Sequence, residues 1–107
     1  MTFEELRAQV KTLKCEEFRV EDSDYVEVVV AKTELPAMLA VLDSCFGPPM
    51  KPFGEDPSPD ADRYADAHGG VRDNQALYYR KNESGHELAL LWPWGSGLSV
   101  TVKMIRE

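Results

Sequence analysis

The sequence predicts an α+β fold. The expected form is a two-layer sandwich, with two helices on one face of a mainly antiparallel sheet of four or five strands, ending in a three-stranded meander. Three observations lead there. Two stretches, near the N-terminus and over residues 33–46, carry apolar residues at helical spacing. Residues 15–31 and 76–104 carry strand patterns rich in Val, Leu, Tyr and Trp. One long segment, residues 47–74, shows neither period.

The elements follow in order. Thr2, Glu4 and Glu5 form a capping-box signature, and Phe3, Leu6, Val10 and Leu13 then share one face, so a helix is expected over Thr2–Lys14. Phe18 and Val20 alternate with Glu17, Arg19 and Glu21. After the turn cluster Asp22-Ser23-Asp24 comes the β-branched run Tyr25–Val30. The expectation is a hairpin whose second strand is central; the alternative leaves Cys15–Glu21 as a loop before a single strand. Thr33 is the expected cap of a second helix, with Leu35, Met38, Leu39, Leu42, Cys45 and Phe46 as its stripe. Pro36 fits in its first turn, and Gly47-Pro48-Pro49 stops it.

The segment 47–74 holds Pro48, Pro49, Pro52, Pro57 and Pro59 and reads as a long Pro/Gly/Asp-rich loop inside a single domain spanning 1–107. Loops of that length are uncommon in compact domains and are often functional or disordered. Beyond it, Ala76–Lys81 is a strand and Asn82-Glu83-Ser84-Gly85 a turn. Glu87–Trp92, apolar on both faces, reads as a central strand. Pro93–Gly97 is the next turn. Leu98, Val100, Val102 and Met104 alternate with Ser99, Thr101 and Lys103, as in a half-buried strand.

The chain has 107 residues, is 43% hydrophobic and carries a net charge of −7. The acidity is uneven: residues 1–46 balance at −5, residues 47–74 at −3, and residues 75–107 at +1. This disfavours nucleic acid and anionic membrane as partners and suits a basic protein. The N-terminus is amphipathic and acidic early, unlike an export signal, so a cytoplasmic location is expected. Cys15 and Cys45 are then expected as free thiols.

Chemical signatures are sparse. Asp60, Asp62 and Asp66 occupy three places of a calcium loop, but Tyr64, Ala65 and Val71 fill places that need a ligand, a glycine and a bidentate glutamate. A solvated acidic surface is the simpler reading. His68 and His86 have no zinc-type spacing to each other or to the cysteines, and His86-Glu87 begins a metalloprotease-like run without its second histidine. Cys45 lies on an apolar stripe and Cys15 at a helix C-terminus, which does not activate a thiol. Asn82-Glu83-Ser84 matches a glycosylation sequon but reads as turn chemistry. No phosphate-binding glycine loop and no nucleophile elbow is present. No cofactor, metal or catalytic residue is therefore expected.

The sequence instead points to a non-enzymatic module that binds another protein, as a monomer or homodimer. Its candidate contacts are Asp60, Asp62, Tyr64, Asp66 and Trp94: acids for steering and aromatics for anchoring. The alternative is a small-ligand or enzymatic pocket between the sheet and the long loop, built from Tyr64, Asp66, His68 and Trp94.

Overall fold

The computed structural model describes residues 1–83 and 85–107. Its elements are α1 (Phe3–Lys11), β1 (Cys15–Glu21), β2 (Tyr25–Ala31), a single 3₁₀ turn (Lys32–Glu34), α2 (Leu35–Phe46), α3 (Pro59–Asp66), β3 (Ala76–Asn82), β4 (Gly85–Pro93) and β5 (Ser99–Arg106). The strands form one open sheet in the order β1-β2-β5-β4-β3, and every neighbouring pair is antiparallel. The fold is α+β, as its sequence implies. Among the described residues no helix is long and apolar enough to cross a membrane. The turn expected at Asn82–Gly85, and the sequon with it, includes Ser84, which lies outside the described residues.

The capping box at Thr2 forms in full: its hydroxyl accepts from the Glu5 N–H, and the Glu5 carboxylate accepts from the Thr2 N–H. The helix stops at Lys11, short of the expected Lys14. Thr12 turns its hydroxyl onto the Gln9 carbonyl at 2.7 Å and closes the last turn. Cys15–Glu21 is a strand, so the hairpin exists, and β2 lies inside the sheet between β1 and β5. Thr33 does not cap α2. The chain enters through the 3₁₀ turn, and Glu34 takes the cap position without a side-chain bond. Pro36 sits in the first turn, where it displaces no helix bond.

α1 and α2 cover one face of the sheet. Phe3, Leu6, Val10, Met38 and Leu42 pack there against Val28, Val30, Ala89, Leu91, Val102 and Met104. The other face has its own core. Leu77, Leu88, Leu90 and Ile105 are buried there under Ala61, Ala65 and Val71. This corrects the reading of residues 47–74 as structureless. Ser58 caps α3 by accepting from the Ala61 N–H at 3.1 Å, and Pro59 opens the helix. Upstream, Lys51 bridges to Leu77 through two backbone bonds of 3.1 and 2.9 Å. Its side chain is 1% exposed and donates at 2.6 Å to the carbonyls of Asp73 and of Gln75. Burial pushes this amine below its ordinary pKa.

The polar row of β5 is a second correction. Ser99 and Thr101 are buried rather than facing solvent. Ser99 donates to the Glu16 carboxylate at 2.6 Å, and Thr101 accepts from the Trp94 indole N–H at 2.8 Å. Their hydroxyls are thus satisfied without water.

Leu42 is fully buried, whereas Leu39 on the same stripe is only half-buried. Leu42→Ala is therefore expected to cost about 2–5 kcal/mol in a urea melt, and Leu39→Ala clearly less. Equal and small effects would contradict the packing of α2.

Candidate functional site

Two places concentrate polar and aromatic side chains outside the main core, both on the α3 side of the sheet. The first lies under α3. Tyr64 projects from the helix and stacks on Tyr79 of β3, with ring centroids 3.9 Å apart and planes 11° apart. The Tyr79 hydroxyl meets Nδ1 of His86 on β4, and Arg63 donates to the Tyr64 hydroxyl at 3.0 Å. Just past the helix, His68 Nε2 meets the Glu107 carboxylate. The backbone of Glu107 is paired with that of His86 through bonds of 3.2 and 2.8 Å. The result is a chain of contacts from Arg63 through two phenols to an imidazole, beside a histidine–carboxylate pair.

This arrangement separates the two phenols electrostatically. The hydrogen bond from Tyr79, then that from Arg63, holds Tyr64 below the usual tyrosine range. Burial first, and the bond to Tyr64 second, push Tyr79 up to about 12. A cavity of about 210 Å³ opens beside Tyr64, Tyr79, His86 and Leu88. Among the described residues no Ser or Cys lines it. Both thiols are free and lie with the other core, where burial raises their pKa. The cluster can relay hydrogen bonds and fasten α3.

The second place is the half of this face that α3 leaves uncovered. Trp94 is 41% exposed and folds back over Thr101. The Arg19 guanidinium stands 5.6 Å from its ring centre and pairs with Glu17 and Glu27 at 3.3 and 3.5 Å. Next along, the Lys103 amine lies 3.7 Å from the Trp92 ring centre. This is a flat surface of indoles, each with a cation against it, edged by glutamates.

The six sequence candidates are thus only partly brought together. Tyr64 and His68 join one cluster. Asp60, Asp62 and Asp66 are exposed on α3, with Asp60 held 3.2 Å from Arg63. A helix does not present them as a calcium loop would. Trp94 lies just past the opposite end of β4 from His86, about 26 Å away along an extended strand, so among the described residues no single pocket contains Tyr64, His68 and Trp94. Among the described residues no group of three or more His, Cys, Asp or Glu is placed to hold a metal ion. Tyr79, His86, Arg19 and Lys103 were not foreseen as site residues. The hairpin register, Tyr79 opposite Leu88 and Lys81 opposite His86, is the signal that places Tyr79 diagonally from His86.

Comparison of the chain with protein-family models, with curated proteins and with solved structures finds no match.

Two results are expected from this geometry. Gly69 and Gly70 both have positive φ, of 101° and 83°, but a Cβ on Gly69 would stand 2.7 Å from the Trp92 ring, whereas one on Gly70 meets open space. Gly69→Ala should therefore destabilise more than Gly70→Ala, by about 1 kcal/mol or more in paired urea melts; equal losses would contradict the contact. In alkaline titration Tyr79 keeps its proton in the fold above the pH at which the unfolded chain releases it. Stability from this residue is complete below about pH 10 and is lost as the pH rises through about 12. Melts between these values should show a smaller fall for Tyr79→Phe than for the unaltered protein. An unchanged slope would contradict the assignment.

Proposed function

We propose that this protein is a small, non-enzymatic interaction module that docks a basic protein on the half-open side of its sheet. The observation that carries this reading is Trp94. A large indole just past the end of β4 stays 41% exposed while its N–H is tied to Thr101 and Arg19 lies against its ring, so it is presented in a fixed orientation. Amphipathic anchors of this kind, held rigid before binding, dominate protein interfaces. Exposed acids stand on the same side of the sheet: Glu17 on β1, paired with the Arg19 that lies against Trp94, and, farther off on α3, Asp60, Asp62 and Asp66. Their charge steers a basic partner during encounter. The two unpaired thiols favour a reducing, cytoplasmic compartment.

The test begins with recovery of a partner from native lysate at low and at high salt, followed by stopped-flow kinetics with that partner. Asp60→Asn, Asp62→Asn and Asp66→Asn together should slow association more than they speed dissociation. Trp94→Ala should raise the dissociation rate at least about tenfold. Binding indifferent to salt and to all four changes would reject the face.

The cluster under α3 favours a second reading, a small-ligand pocket at Tyr64, His68 and His86. Turnover of a small molecule abolished by His68→Ala in a normally folded variant would replace the docking reading with this one.

A further inference from the structure

A different concavity lies on the α1–α2 side of the sheet, at the end where β2 runs into the 3₁₀ turn. Its walls are Leu35 at the start of α2, Phe53 from the segment before α3, Pro93 at the end of β4 and Val100 on β5, enclosing about 160 Å³. The walls are fixed from several directions. The Lys32 N–H donates to the Leu98 carbonyl at 2.9 Å, the Trp94 N–H donates to the Ser99 carbonyl at 2.9 Å, and the Lys51–Leu77 bridge holds the strand of chain that carries Phe53. The concavity is therefore built by the fold.

A second hollow, lined by Ala31, Thr33 and Leu98, shares Lys32 and Gly97 with the first. Leu98 is 72% exposed, an unusual place for a large aliphatic side chain. Among the described residues Lys32 is the only ionisable side chain lining either hollow. Lys32 itself is exposed, and no ion pair engages it among the described residues. The carboxylate of Glu16 accepts the bond from Ser99 at the edge of the first hollow.

We propose that this groove binds a small aliphatic monocarboxylate, its chain against Leu35, Phe53 and Val100 and its carboxylate on the Lys32 amine. Apolar walls with a cation at the rim fix such a ligand end to end, the Glu16 carboxylate nearby being already engaged by the Ser99 hydroxyl. The lysine stem extends the apolar wall while its head stays in water, where a charge-assisted hydrogen bond to a carboxylate is available. The small volume selects a short chain over a drug-sized molecule. The backbone of Trp94 helps to fix the hollow, but its indole turns to Thr101 and lines neither hollow, so the proposal does not depend on the docking reading.

The test is a methyl and amide NMR titration of the full chain with octanoate, octanol and octylamine, three probes with the same number of carbons. Octanoate should produce saturable shifts at Leu35, Leu98, Val100 and Lys32, octanol should bind more weakly, and octylamine most weakly. Lys32→Gln, an exposed change that leaves the walls in place, should weaken octanoate about tenfold and bring it level with octanol. Leu35→Phe, which fills the hollow, should weaken octanoate and octanol alike. Equal affinity for the three probes, shifts centred elsewhere, or no effect of Lys32→Gln in a variant with a native spectrum would overturn the proposal. Loss of octanoate binding would leave partner binding at Trp94 unchanged, so the two readings fail separately.

Discussion

The structure depends on β4 being apolar on both sides. Ala89 and Leu91 point to one core, and Leu88 and Leu90 to the other. A strand of this kind needs cover above and below, because its exposed apolar face would lose about 25 cal/mol for every Å² left in water. α1 and α2 supply one cover. The only remaining chain long enough to supply the other is the connection between α2 and β3. That connection is rich in proline, glycine and aspartate and has few large apolar residues to offer. It meets the requirement with a two-turn helix whose inward residues are Ala61 and Ala65, small enough to let the helix backbone approach the sheet.

Cationic side chains fix what the apolar contacts leave loose. Lys51 ties the connection to the chain just before β3 by donating to the carbonyls of Asp73 and Gln75. Arg80 joins the buried Glu87 to the carbonyls of Met1 and Cys45, the latter at the end of α2. Arg106 gathers Glu4, Asp24 and the Ser23 carbonyl, and so links α1, the β1–β2 turn and the last strand. Each spans a long interval of sequence. The buried pair of Arg80 with Glu87 contributes less to net stability than its geometry suggests, yet removing one partner is strongly destabilising, whereas the exposed pairs of Arg106 are worth little each.

Most of the architecture was legible from periodicity. The stripe of α2, the capping box of α1 and the alternation of β5 come from residues whose burial is repeated at fixed spacing. The α3 helix was not legible in that way. Its inward face is two alanines and one tyrosine, too little for a hydrophobic period, and the flanking prolines argue for a loop. The available signal was local instead: Ser58 followed by Pro59 and Asp60 is a helix start. The site residues divide likewise. Tyr64, His68 and Trp94 stood out by type, but their partners Tyr79, His86, Arg19 and Lys103 are ordinary strand residues until the register sets them side by side. The burial of Ser99 and Thr101 depends on Glu16 and Trp94, contacts that a strand pattern does not contain.

The same half-cover that completes the second core leaves the surface on which Trp94 stands. α3 spans the β3–β4 side and stops, so the exposed indole and the acids of the helix share one side of the molecule. Function and fold thus rest on one claim: residues 47–74 form a packed layer of the structure. Native-state hydrogen exchange at the amides of Tyr64, Ala65 and Asp66 tests it most directly. If α3 is packed as described, these amides exchange at least about 100-fold more slowly than in an unstructured chain. Exchange at the unstructured rate, with β4 still protected, would contradict the account.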